Sequence, residues 1–189
     1  MGLRYAELVH DRLTAMDPDN ATYYADNLEQ FRDRVVQMDQ AIRIAVATVP
    51  ESNRKLLTYH DSWAYFAKQY GMEVIGAVQP SNFSQPSVRE VTKLIDQVKE
   101  LGLPAVFGSE VFSSDVLEAI ASEANAQFID DLADDDLPGK PGDPEHSYLG
   151  LMQKNLEAMI PALGGDARVL AGLDIGNVFD GASGAVYPQ

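Results

Sequence analysis

The sequence predicts an α/β fold: a four-stranded parallel sheet with helices on both faces, preceded by a long brace helix. Three observations carry this. Short apolar runs alternate with stretches of helical periodicity along residues 51–165, as βαβ units require. Those runs are continuously apolar, as strands buried on both faces are. A single apolar stripe of heptad-like spacing precedes them over residues 21–50.

The first elements are helical. Residues 3–15 read as a short helix, broken by Asp17-Pro18-Asp19-Asn20, whose side chains suit capping of the next helix. From Ala21 to about Val49, Tyr24, Leu28, Phe31, Val35, Met38, Ile42 and Ala45 recur at alternating steps of four and three, one stripe on a helix of roughly eight turns. A coiled coil would explain the stripe, but a brace packed across a sheet better suits the α/β stretch after it. Pro50 ends it. Lys55-Leu56-Leu57-Thr58-Tyr59 is the first strand and Ser62 to Tyr70 a helix, stopped by Gly71. Glu73 to Val78 is the second strand. Pro80 to Gln85 is a loop, and Pro86 opens a helix with Val88, Val91, Leu94, Ile95 and Val98 on one face. Gly102 and Pro104 precede a third strand, Ala105-Val106-Phe107. Ser113 or Ser114 caps a helix with Val116, Leu117 and Ile120, and Ala126-Gln127-Phe128-Ile129 is the fourth strand. An acidic, Gly- and Pro-rich loop, Asp134 to Pro144, leads to a helix from about His146 to Leu163, ended by Gly164-Gly165. Four segments result: a shortened helix and turn (1–20), the long helix (21–50), an α/β lobe (51–165) and a Gly-rich tail (166–189). The tail reads as loose, or as a strand meant for an absent partner.

Composition narrows the functions. The 189 residues are 46% hydrophobic, enough for a real core, and carry 29 acidic against 14 basic side chains, a formal charge of -15. Nucleic acid is excluded as a partner, because a duplex binder needs a basic footprint to displace counterions. With no cysteine, thiolate catalysis, Cys-type zinc sites and disulfides are excluded as well. No run of about 18 apolar residues is present to span a membrane. The first residues lack the tracts of a signal peptide and fall within a helical pattern, so the expectation is a mature or shortened chain.

Three residues stand where apolar strands stop: His60, Glu110 and Asp130. Ligands of open α/β sheets sit in the crevice beyond the carboxyl ends of the strands. One imidazole and two carboxylates meeting there would make a small metal site, with one coordination position left open. Each has a plainer explanation. His60 could be a capping histidine bonded to Asp61. Glu110 precedes a helix N-terminus, where the dipole favours a carboxylate without any metal. Asp130 and Asp131 could be solvated turn residues, and strand alternation turns only one of them toward the crevice. Asp134-Asp135-Asp136 lacks the spacing of a calcium loop, His146 fits a helix start, and His10 fits the surface. Met152, Leu156, Met159, Ile160 and Leu163 form a core stripe. No phosphate-binding glycine loop and no G-x-S-x-G elbow is present. A carboxylate pair of Glu110 and Asp130 leaves hydrolysis open.

The chain resembles the metal-binding receptors of bacterial ABC importers, the zinc and manganese solute-binding proteins. The resemblance rests on Leu28-Glu29-Gln30-Phe31 following Asp17-Pro18-Asp19-Asn20, and on Thr58-Tyr59-His60-Asp61-Ser62-Trp63-Ala64-Tyr65-Phe66 running to Tyr70-Gly71. It continues through Gln85-Pro86-Ser87, Val106-Phe107-Gly108-Ser109-Glu110, Ile129-Asp130-Asp131-Leu132 and Ser147-Tyr148-Leu149, covering roughly residues 3 to 165. It implies two α/β lobes joined by a long helix with the metal between them. This chain corresponds to that helix and the C-terminal lobe, with the N-terminal lobe and its histidines expected before Met1. The implied ligands are His60, Glu110 and Asp130. An ungapped match after Phe107 puts Ser109 in place of Glu110, but a hydroxyl is a poor ligand for these ions. The resemblance also implies capture without catalysis, Zn2+ or Mn2+ as cargo, an ABC permease as partner, and a periplasmic or extracellular, membrane-associated location. A metal-assisted hydrolase and an acidic interaction module are the other functions the residues allow.

Overall fold

The computed structural model describes residues 1–79, 86–109, 114–130, 132–133 and 136–178. Four strands, β1 (Lys55–His60), β2 (Glu73–Gln79), β3 (Ala105–Phe107) and β4 (Gln127–Ile129), form one sheet in the order β2-β1-β3-β4. All three pairings are parallel. The helices are α1 (Gly2–Met16), α2 (Ala21–Thr48), α3 (Ala64–Tyr70), α4 (Val88–Leu101), α5 (Asp115–Ala124) and α6 (Tyr148–Ala162).

Both faces of the sheet are covered, as continuously apolar strands demand. On one face Leu56, Ala105 and Phe107 pack with Met38, Ile42, Ala45 and Val46 of α2 and Leu156, Met159 and Ile160 of α6. On the other, Leu57 and Val106 pack with Val98 of α4 and Leu117 and Ile120 of α5. Alternate residues of β1 and β3 therefore serve opposite cores.

Local chemistry sets the helix ends. Ser87 and Glu90 form a reciprocal capping box that starts α4 two residues after Pro86, which stays outside the helix. Ser114 caps α5 by accepting from the Leu117 amide, and Ser147 caps α6 by accepting from Gly150. Gly71, Gly102 and Asn125 end α3, α4 and α5 in the left-handed conformation.

α2 is buried only in its second half, from Met38 onward. Its first half is covered on one side by α1, and α1 itself has no buried residue. Tyr5, Leu8, Val9 and Met16 of α1 are exposed. Asp39, Arg43 and Tyr70 tie α2 to α3: the Tyr70 hydroxyl and the Arg43 guanidinium both donate to the Asp39 carboxylate, and Arg43 lies 5.5 Å from the centre of the Tyr70 ring.

The tail differs from the expectation. Residues 179–189 lie outside the described part, but 166–178 are neither loose nor a strand. Leu170 is fully buried against the α2–α6 core. Gln153 donates to its carbonyl, the Ser147 hydroxyl to that of Ile175, and the Arg34 guanidinium to that of Gly176. The segment is a clasp over the seam between α2 and α6. Its apolar residues Leu170, Leu173 and Ile175 are too sparse to register as a periodic element, yet they suffice to seat it.

Candidate metal centre

The strand order places the exits of β1, β3 and β4 side by side. Thr58, Phe107 and Ile129 are paired across the three strands, so they lie at one level. The strand order also reverses between β2-β1 and β3-β4, the kind of point where open α/β sheets hold ligands.

His60 is the last residue of β1, two past Thr58. It is half-buried and its Nε2 is shielded from solvent. The Tyr59 ring meets the imidazole edge-on, with centroids 4.7 Å apart. Thr58, itself buried, donates its hydroxyl to the His60 carbonyl at 2.7 Å and so fixes the backbone where the strand ends. Being two residues beyond Thr58, His60 keeps the α2–α6 face of the sheet.

Beyond β3, Gly108 and Ser109 are described and Glu110 is not. Ser109 is buried. The Gly108 amide donates to the Ile129 carbonyl at 2.6 Å, extending the β3–β4 ladder by one bond. A Cβ on Gly108 would lie 3.2 Å from the Asp130 Cα and 3.1 Å from the Phe128 ring, so a side chain there would have to push the two exits apart by a few tenths of an ångström.

Asp130 follows β4 directly and is exposed. Its backbone is held from both sides, by the Gly108 contact before it and by buried Leu132 and Ala133 after it. Alternation carried past Ile129 turns Asp130 away from the His60 face; Asp131, the other member of the acidic pair, lies outside the described residues. With about 4.8 Å between neighbouring strands, β1 and β4 stand roughly 10 Å apart with β3 between them. His60 and Asp130 therefore share the carboxyl rim of the sheet, on strands that are not neighbours. Among the described residues, no three His, Asp or Glu side chains gather closely enough to hold an ion.

A cavity of about 600 Å³ lies between α3 and α6, reaching Ser62, two residues past His60, and Ala133, three past Asp130. Aromatic side chains, Trp63, Phe66, Tyr70 and Tyr148 among them, form part of its walls. Burial pushes the Tyr70 and Tyr148 hydroxyls above the ordinary phenol range, and for Tyr70 the bond to Asp39 adds to the effect, so both stay neutral donors. Asn155 of α6 also lines the cavity, as a buried polar residue inside an apolar stripe. Sequence periodicity passes over it, because only the apolar positions of that helix are counted. A polar residue interrupting the stripe between Met152 and Met159 is the signal that could have found it.

Of the expected minor sites, Asp134 and Asp135 lie outside the described residues. His146 sits just before α6 with its Nδ1 3.1 Å from the Pro138 carbonyl. His10 is beside Asp11 on α1. None of the described helices is long and apolar enough to cross a membrane.

Residues 2–162 match the family model of the periplasmic zinc-uptake complex component A. The manganese-binding lipoprotein MntA of Halalkalibacterium halodurans is 24% identical over 161 residues, 85% of this chain and 53% of that protein. The high-affinity zinc uptake system protein ZnuA of Bacillus subtilis is 27% identical over 155 residues, 80% of this chain and 47% of that protein. Among solved structures, the periplasmic zinc-binding protein TroA of Treponema pallidum superposes with a TM-score of 0.74 at 24% identity, covering 83% of this chain and 58% of that one. A manganese-bound point mutant of the periplasmic metal-binding protein of Candidatus Liberibacter asiaticus gives 0.71 at 25% identity, covering 85% and 59%. The chain thus spans about half the length of the curated relatives it matches. On the strength of the family match, which takes in α1 to α6 and the whole sheet, the chain belongs to the periplasmic zinc-uptake component A family.

Proposed function

We propose that this chain is the C-terminal lobe, with the long linking helix, of the solute-binding component of a bacterial ABC importer, and that it captures a divalent transition ion, Zn2+ or Mn2+, as cargo. The observation that carries the reading is His60 at the β1 exit, at the reversal point of the sheet, in a chain of this family. His60 would give an imidazole nitrogen, and Glu110 and Asp130 would give carboxylates that neutralise the ion. If the neighbouring positions serve instead, Ser109 replaces Glu110 and Asp131 replaces Asp130. A second lobe would complete a site of about four protein ligands. Such a closed site leaves no water to activate, so the reading is capture rather than catalysis. One histidine with two carboxylates leans toward manganese or iron, although zinc outcompetes manganese for most such ligands.

The partners in this reading are an ABC permease and the remaining lobe of the same protein, in the periplasm or outside the cell and held at the membrane. The family match favours it over a metal-assisted hydrolase or an interaction module. Titration with Zn2+ and Mn2+ tests it: the chain should bind far more weakly than the two-lobed parent, and His60→Ala should abolish the residual affinity. Unchanged affinity in His60→Ala removes the imidazole from the site and the reading with it. Asp130→Asn and Asp131→Asn, compared in the same titration, separate the two acids.

A further inference from the structure

We propose that Asn155 is a positioning residue for the acid at the β4 exit. The inference rests on the metal reading above and adds to it the part of the chain that holds one ligand arm in place.

Asn155 lies two turns into α6, on the face that carries Leu156 and Met159 into the core, and it is 1% exposed. A buried amide among apolar neighbours is costly unless its donors and acceptor are satisfied. Here they are spent on one residue. The Asn155 side-chain oxygen accepts from the Ala133 amide at 2.7 Å, and its nitrogen donates to the Ala133 carbonyl at 2.9 Å. Ala133 stands three residues after Asp130 and lines the cavity that also reaches Ser62, two residues past His60. Neither group of Ala133 belongs to a helix or strand, and Asn155 supplies a partner to each. On the other side of the acid, the Gly108–Ile129 bond fixes the chain that enters it. The chain that leaves β4 is thus tied just before Asp130 and again three residues after it, which fixes where this exit stands rather than the direction of the Asp130 side chain. A ligand arm needs such support to meet an ion without first being ordered. The same clamp acts on β4 alone and leaves the imidazole arm on β1 untouched.

The test uses Mn2+ added to the 15N-labelled full chain, read as paramagnetic broadening of backbone resonances. In the wild type, broadening is expected at both exits, around His60 and Ser62 and around Ile129 and Ala133. Asn155→Leu should lower Mn2+ affinity about tenfold, the lower end of the range for groups that orient metal ligands. It should also reduce broadening at Ile129 and Ala133 relative to that at His60. Met159→Ala, a cavity in the same helix with no bond to Ala133, should leave that ratio unchanged although it destabilises the fold. Asn155→Asp keeps the acceptor for the Ala133 amide and loses the donor, so it should fall between the wild type and Asn155→Leu; it carries the test if Asn155→Leu does not fold. An unchanged ratio in the Asn155 variants, or an equal change in Met159→Ala, overturns the positioning role and leaves the metal site standing. Broadening that is absent at His60 in the wild type, or that persists in His60→Ala, overturns the metal reading and this inference together.

Discussion

Arg34 on the long helix donates to the carbonyl of Gly176, 142 positions further along the chain, at 2.6 Å. The same guanidinium pairs with Asp174 at 2.7 Å. One side chain therefore closes the end of the clasp onto α2, while Thr48 receives the start of it by accepting from the Asp166 amide.

Replacing that guanidinium should loosen the clasp. Arg34→Gln is expected to cost about 1–2 kcal/mol, the worth of a partly buried charge-assisted bond, read as a lower midpoint in urea denaturation. In a chain ending at Leu173 the same substitution should cost nothing further, because its partners are gone. Equal costs in the two chains would place the stabilisation elsewhere.

Gly108 should accept a side chain only at a cost. Gly108→Ala forces a methyl against the Asp130 Cα and the Phe128 ring, and a backbone neighbour cannot rotate away. A loss of about 1–3 kcal/mol is expected from overpacking, together with weaker binding of Zn2+. Wild-type stability in the alanine variant would mean that the β3 and β4 exits have room to separate.

Ser87 should matter through geometry alone. Its hydroxyl accepts from the Glu90 amide while Glu90 accepts from the Ser87 amide. Ser87→Ala should cost about 1 kcal/mol without altering metal affinity, since α4 lies on the face of the sheet opposite His60. A change in affinity would couple that face to the rim.

Asp39 predicts the pH dependence of the α2–α3 junction. Burial opposes its ionisation, but the bonds from Arg43 and Tyr70 and the Arg43 charge outweigh this and hold the carboxyl below its ordinary value of 3.8. A depressed folded value means stability that is present above the unfolded value and lost as pH falls through the folded one. The side chain is 35% exposed, so solvent screening limits the effect. Asp39→Asn should cost about 0.5–1 kcal/mol near pH 7, and the cost should vanish in the acid range below the folded value. A cost that persists in acid would point to packing rather than charge.

Much of the fold was legible because each element carries its own punctuation. Pro50, Gly71, Gly102 and a serine at 113 or 114 mark ends, and unbroken apolar runs mark buried parallel strands. The caps Ser87 and Ser147, by contrast, are masked by the neighbouring Pro86 and His146. The burial of α2 was less legible. Its stripe runs evenly from Tyr24 to Ala45, yet only the part from Met38 onward is buried. Periodicity shows that a helix has an apolar side, not what lies against it.

Of the candidate site, the places of two residues in the fold were legible. His60 was marked by the apolar strand it ends, and β4 led directly to Asp130. Asn155 and Thr58 work by bonding backbone groups distant in space or hidden at a strand end, and no spacing rule reports such bonds. The clasp escaped for a related reason: scattered apolar residues and two separate glycines look like slack until Arg34 and Ser147 are seen to hold them.

Because α2 is seated in the lobe from Met38, tied by the clasp at Arg34 and met one turn earlier by the Tyr148 ring at Phe31, the turns before Phe31 act as a lever arm. A tilt of roughly 10° at that fulcrum would carry Ala21, roughly 15 Å along the axis, through roughly 3 Å. Gly2 of α1 lies against the same Tyr148 ring, so that ring is the stop against which α1 and the start of α2 would swing, while the rim that bears His60 stays still.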